Sequence, residues 1–174
     1  MRKLAKHLGV EGASLYHHVA SKDDLLDEIT ALINEEIEPA PLDPDASWQT
    51  NLAEAARAYR RAFARHPEIL GVIMRRPVRT SSALATYDRL FFPILFRAGW
   101  DGEEASAIMA ALDYLVLGSG LLRFAGGFEL PPEEYEPDHP SLARALAAAD
   151  RATLDDRGFE LGLSALLAGL GEPA

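Results

Sequence analysis

Apolar residues recur every three or four positions along most of this 174-residue chain, and no stretch alternates polar and apolar side chains as a half-buried strand would. The pattern predicts an all-α protein. A first helix, Arg2 to Leu8, stops at Gly9, a residue suited to the left-handed turn that ends helices. A second, very short helix is predicted from about Gly12 to Val19. Ser21, with Asp24 three residues on, resembles a capping box with Asp in place of Glu, and opens a third helix to about Glu38. Its stripe is Leu25, Leu26, Ile29, Leu32, Ile33 and Ile37.

Pro39, Pro41 and Pro44 make residues 39–46 a stiff extended linker, because proline fixes φ and cannot donate a helical hydrogen bond. The expected organisation is a head with its connecting helix (1–38), this linker, and a larger body (47–174). In the body, a long helix from Ser47 ends at His66-Pro67, a short one spans Glu68 to Met74, and Arg75-Arg76-Pro77 follows. Another runs from Ser81 or Ser82 to Ala98-Gly99, with a kink expected at Pro93. Asp101 and Glu104 cap a helix to about Phe124 that is apolar on nearly every side and must be covered by several neighbours. Residues 125–140 read as a long loop, Ser141 to Asp150 as a short helix, and Thr153 to Asp156 as the cap of the last one. Gly158, Gly162, Ala165 and Gly169 in that last helix predict the close approach of another backbone.

Composition adds a globular core, at 48% hydrophobic residues, and excludes thiol chemistry, since cysteine is absent. The most apolar run, from Ile108 to Phe124, is broken by Asp113, two glycines and Arg123, so no membrane span is expected. The start has no apolar stretch of the kind a signal peptide carries, and a cytoplasmic protein is expected. A net charge of −10 argues against nucleic acid until its distribution is considered. Residues 1–22 carry a net +3 and the rest −13, which describes a basic working end on an acidic body.

That basic end has the pattern of a helix-turn-helix. Leu4, Ala5 and Leu8 turn inward, Gly9 makes the turn, Val10 anchors it, and Leu15 and Val19 face back. Gly12, Ala13, Ser14, Tyr16, His17 and His18 then point outward, where small residues let a helix sit deep in a major groove and the larger ones reach phosphates and bases. Lys22 can meet a phosphate at the start of the next helix. His17 and His18 do not read as a metal pair, because neighbours on a helix point about 100° apart. No glycine elbow, phosphate loop or paired carboxylates accompany the serines and histidines, so no enzyme is expected.

The segment RKLAKHLGVEGASLYHHVASKDDLL resembles the TetR family of transcriptional repressors, and the likeness extends to Ser47-Trp48-Gln49, Arg75 to Pro77, AGWDGEEA and FELGL in the body. The resemblance implies a homodimeric, ligand-responsive repressor of a palindromic double-stranded DNA operator, joined through helices 103–124 and 155–170 and released by a small-molecule effector. It implies that Arg2 reads a guanine, that Tyr16 and Lys22 contact phosphates, and that Gly12, Ala13, Ser14, His17 and His18 approach bases or backbone. Tyr59 and Arg76 fall on drug-contacting positions. Phe63, Tyr87, Phe91 and Met109 share their helical spacing, which fits either core or ligand pocket. Asp113 could orient a ligand, pair with Arg76, or lie at the dimer seam. Where tetracycline repressors hold a magnesium–drug chelate through a histidine, this chain has Ile73 and Met74, which implies no metal, no cofactor and a different effector. The family also has a helix before Arg2. Its absence implies a start placed too far downstream, a shortened chain, or a small-molecule-binding dimer that has lost DNA binding, and leaves residues 1–20 expected to be the loosest part.

Overall fold

A computed structural model describes residues 1–122 and 124–173, and among them there is no strand. In the head, α1 (Arg2–Leu8) ends at Gly9 with φ 68°, and the Val10 and Gly9 N–H groups donate to the Ala5 and Lys6 carbonyls, the paired bonds of a glycine-terminated helix. Val10 and Leu8 are nevertheless exposed rather than inward, Leu8 at 55%, and Ala5 alone is buried among residues 1–21. α2 (Gly12–Tyr16) is shorter than expected. The N–H groups of His17 and His18 donate to the Ser14 and Leu15 carbonyls, a tightened final turn that leaves both histidines beyond the helix.

Ser21 caps α3 (Lys22–Glu35) by accepting from the Asp24 N–H at 3.0 Å, while Asp24 accepts from the Ala20 N–H, one residue before the donor of a standard box. α3 stops three residues short of Glu38, since the chain must turn extended before Pro39. Leu32, expected on its apolar stripe, is exposed, whereas Asn34 is buried. The linker is held as well as stiff: the Asn51 amide accepts from the Asp43 N–H and donates to the Asp43 carbonyl, both at 2.9 Å.

α4 (Trp48–Ala64), capped by Ser47, is the centre of the body, with Leu52, Ala55, Ala56, Tyr59, Ala62 and Phe63 buried. It packs against α8 (Gly102–Leu121), α7 (Phe92–Ala98) and α11 (Leu154–Leu170), and α5 (Pro67–Ile73) fits between α4 and α8. The stretch expected to kink at Pro93 is instead α6 (Ser81–Ala85), a π-helical turn over Thr86–Phe91, and α7. Proline still explains the break, because its missing N–H and bulky ring spoil the α-helical bonding of the preceding turn.

Asp101 Oδ1 caps α8 by accepting from the Glu103 and Glu104 N–H groups, both at 2.8 Å. The helix ends at Leu121, not Phe124, and it is not covered on every side: Ala105, Ile108, Met109, Leu112, Val116 and Gly120 are buried, while Tyr114 is 78% exposed. By length and composition α8 could cross a membrane, but its buried face is committed to α4, α5, α7 and α11. The expected loop at 125–140 contains a 3-10 turn (Ala125–Gly127) and α9 (Pro132–Tyr135), started by two prolines and Glu133 and Glu134; α10 (Pro140–Ala148) follows and packs on it. Thr153 does not cap α11 through its side chain, which donates to Asp150 instead.

Of the glycines in α11, only Gly162 is closely approached: a Cβ there would lie 2.7 Å from Leu115 Cδ1. Gly158 and Gly169 face open space. Across α4 and α11, Arg57 donates to both Glu160 oxygens at 2.9 and 2.7 Å, and Arg60 pairs with Asp156 while lying 4.6 Å over the Phe159 ring. Arg57 holds the Glu160 carboxyl below its ordinary value. Such partly exposed pairs contribute about 1 kcal/mol or less each, so they fix the pairing of two helices already joined by apolar packing.

Candidate DNA-reading corner and effector cavity

The residues assigned to DNA lie in one corner. Arg2 opens α1; Gly12, Ala13 and Ser14 form the first turn of α2; Tyr16 ends it; His17 and His18 follow in the turn. All but Gly12, which is half-buried, are exposed. Lys22 opens α3 and is exposed, although Asp23 and Asp24 flank it. Asp23 is paired with Arg76, while Asp24 keeps its negative charge and accepts from the Ala20 N–H in the cap.

A second site lies in the body. A cavity of about 280 Å³ is lined by Tyr59 and Phe63 of α4, Arg76, Tyr87 of the π turn and Asp113 of α8. Phe91 and Met109, grouped with them by spacing, are not among its walls; they are buried in the core. The Tyr87 hydroxyl donates to Asp113 Oδ2 at 2.9 Å, and Asp113 Oδ1 is buried with no hydrogen bond of ordinary geometry among the described residues. Asp113 therefore does not pair with Arg76. Burial raises the Asp113 carboxyl above its ordinary value, with the tyrosine hydroxyls opposing the shift. Burial and then the Asp113 charge push Tyr87 up to about 12, and the same causes hold Tyr59 well above its ordinary value. Both phenols are neutral donors at any physiological pH.

Arg76 connects the two sites. Its Nη1 donates to Asp23, and its Nη2 donates to the Asp23 carbonyl at 3.0 Å and to Asp27 Oδ1 at 2.9 Å, which clamps the first two turns of α3. Its Nε, buried and without a partner among the described residues, belongs to the same guanidinium that lines the cavity. α3 also reaches the cavity further along, through Thr30 and Asn34. Asn34 donates to the Thr30 carbonyl and accepts from the Thr86 hydroxyl at 2.9 Å, so the connecting helix, the cavity and the segment carrying Tyr87 share one polar contact. Sequence reasoning missed Thr30 and Asn34. The available signal was a polar i, i+4 pair inside an otherwise apolar helix stripe.

Comparison with known proteins agrees with this architecture. Residues 40–173 match the model for the tetracyclin repressor-like C-terminal domain, and residues 1–29 match that for bacterial regulatory proteins of the tetR family. An HTH-type transcriptional regulator of Saccharopolyspora erythraea is 32% identical over 119 residues, 68% of this chain and 50% of that protein. The class A tetracycline repressor of transposon 1721, from Escherichia coli, is 28% identical over 97% of this chain and 79% of its own length. The chain thus spans half the length of the first and about four-fifths of the second. Among solved structures, Streptomyces coelicolor ActR in complex with actinorhodin superposes with a TM-score of 0.68 at 27% identity, covering 99% of this chain and 88% of that one. From its basic corner to its glycine-bearing last helix, the chain belongs to the TetR family of bacterial transcriptional regulators.

Proposed function

We propose that this chain is a cytoplasmic, homodimeric repressor whose head, residues 1–38, reads a palindromic operator, and whose body, residues 47–174 beyond the linker at 39–46, binds a small effector in the cavity at Tyr59, Phe63, Arg76, Tyr87 and Asp113. One observation carries the reading: α3 begins at the DNA corner with Lys22 and lines the cavity with Thr30 and Asn34, so a ligand has direct purchase on the element that aims the head. To act, the effector must bind one head spacing more tightly than the other. ActR bound to actinorhodin is a precedent for a ligand in a protein of this fold.

The proposed dimer joins α8 and α11. Between them runs an open groove of about 430 Å³, lined by Tyr114, Leu115, Leu122, Phe124, Gly118 and Gly158, and Leu161 on the same face of α11 is 73% exposed. Apolar side chains beside glycines that meet nothing within 4 Å suit the helices of a second copy. A stable interface of this sort buries on the order of 2,000 Å² or more. It sets two heads in successive major grooves about 34 Å apart.

In a mobility-shift titration with the protein's own promoter, using the chain with whatever residues are encoded upstream of Met1, Lys22→Ala is expected to weaken binding to all sequences alike. It should also lower the salt slope by about one unit. Arg2→Ala is expected instead to relax preference at one base pair, costing about 1 to 3 kcal/mol. Equal loss of specificity from both would contradict these roles. No preference for that promoter at all would favour the alternative, a small-molecule-binding dimer without DNA function.

A further inference from the structure

We propose that the body cavity selects an aromatic amine, whose protonated nitrogen pairs with Asp113 Oδ1 between the rings of Tyr59, Phe63 and Tyr114. The inference rests on the reading of this cavity as the effector site.

Among the described residues two ionic groups line the cavity, Arg76 and Asp113, and their charges are met very differently. The Arg76 guanidinium is already answered by two carboxylates, Asp23 and Asp27, neither of which is part of the cavity wall. Asp113 has no cationic partner among the described residues: only neutral phenols, Tyr87 and Tyr59, face its carboxyl, and Oδ1 is buried with no hydrogen bond of ordinary geometry. The charge left uncompensated in this space is therefore negative. A carboxylate offers about four acceptor sites, and two phenols leave about half of them open.

A ligand can answer Oδ1 in two ways. A neutral hydroxyl gives one ordinary hydrogen bond to it, whereas an ammonium gives a charge-assisted bond and supplies the missing counter-charge in a partly desolvated place. The walls favour the second. Tyr59, Phe63, Tyr87 and Tyr114 all border the cavity, and the negative face of an aromatic ring attracts a cation. A carboxylate ligand would instead meet Asp113 without a counter-ion.

The test uses three probes of one shape, naphthylmethylamine, naphthylmethanol and naphthoate, titrated into the native protein by calorimetry. The Asn34 side-chain amide signals, followed by NMR, report occupation of this cavity. The amine is expected to bind about tenfold or more tightly than the alcohol, with naphthoate weakest. In Asp113→Asn, which keeps the shape and an acceptor for Tyr87, the ratio of amine to alcohol affinity should fall to within about twofold of unity. Equal binding of amine and alcohol by the native protein, with Asn34 shifted by both, would overturn the charge preference and leave the effector site standing. If no probe shifts Asn34, the effector-site reading falls and this inference with it.

Discussion

Leu161→Asp is expected to convert the proposed dimer to a monomer and to cut operator affinity by about 100-fold or more. Leu161 projects from α11 at 73% exposure, three residues beyond Gly158 and so on the groove side of that helix. In the proposed dimer it lies against the second copy, where an aspartate would have to be desolvated without a partner, at a cost of several kcal/mol. A pair of heads fixed at one spacing binds two half-sites as one ligand; separated heads lose that gain in effective concentration. Sedimentation equilibrium at micromolar protein and a mobility-shift titration read the two effects. Phe96→Asp is the control, an exposed apolar residue of α7 outside the groove, and it should remain dimeric. A dimeric Leu161→Asp protein with unchanged operator affinity would remove α8 and α11 as the interface.

Phe91→Ala carries the largest expected loss of stability, about 3 to 5 kcal/mol. Phe91 is fully buried at the end of the π turn, with its ring centroid 5.4 Å from that of Tyr59, which in turn sits 4.8 Å from Phe63. Truncation opens a hole behind the cavity wall rather than in it, because Phe91 does not line the cavity. Stability and ligand binding should therefore fall together, through Tyr59 losing its support. Phe91→Leu fills part of the hole and should lose less. Urea unfolding at one fixed protein concentration is the measurement, since a dimer's midpoint moves with concentration. A loss under about 1 kcal/mol would show that the site collapses around the gap.

Much of this architecture was legible in the sequence because local chemistry dictates it. Gly9 stops α1, Ser21 and Asp24 start α3, Ser47 and Asp101 start α4 and α8, and prolines mark the linker. Each of these signals acts over four residues or fewer. What escaped depends on neighbours distant in the chain. Spacing along helices could not separate Tyr59 and Tyr87, which face the cavity, from Phe91 and Met109, which lie behind it; all are large, apolar and in phase. Asp113 was ambiguous because its partner, Tyr87, is 26 residues away, and Arg76 because its partners lie 49 and 53 residues back. The glycines of α11 misled for a related reason. Gly162 receives Leu115 within the chain, but Gly158 opens onto a face that a single chain leaves bare.

The π turn at Thr86–Phe91 gives the count of residues between Thr80 and Gly99 a meaning of its own. A π turn closes each hydrogen bond over one more residue than an α turn does, so the segment holds slack that a regular helix would not. Removing one residue there would tighten the turn toward α geometry without making a regular rod, because Pro93 still lacks an N–H. It would also rotate Tyr87 away from Asp113 and shift Thr86 off Asn34, breaking the cavity wall and its link to α3 together. In descendants of this chain, exposed positions of that stretch such as Leu84, Asp88 and Arg89 can vary one by one, whereas a change in its length strikes the cavity wall and its link to α3 at once.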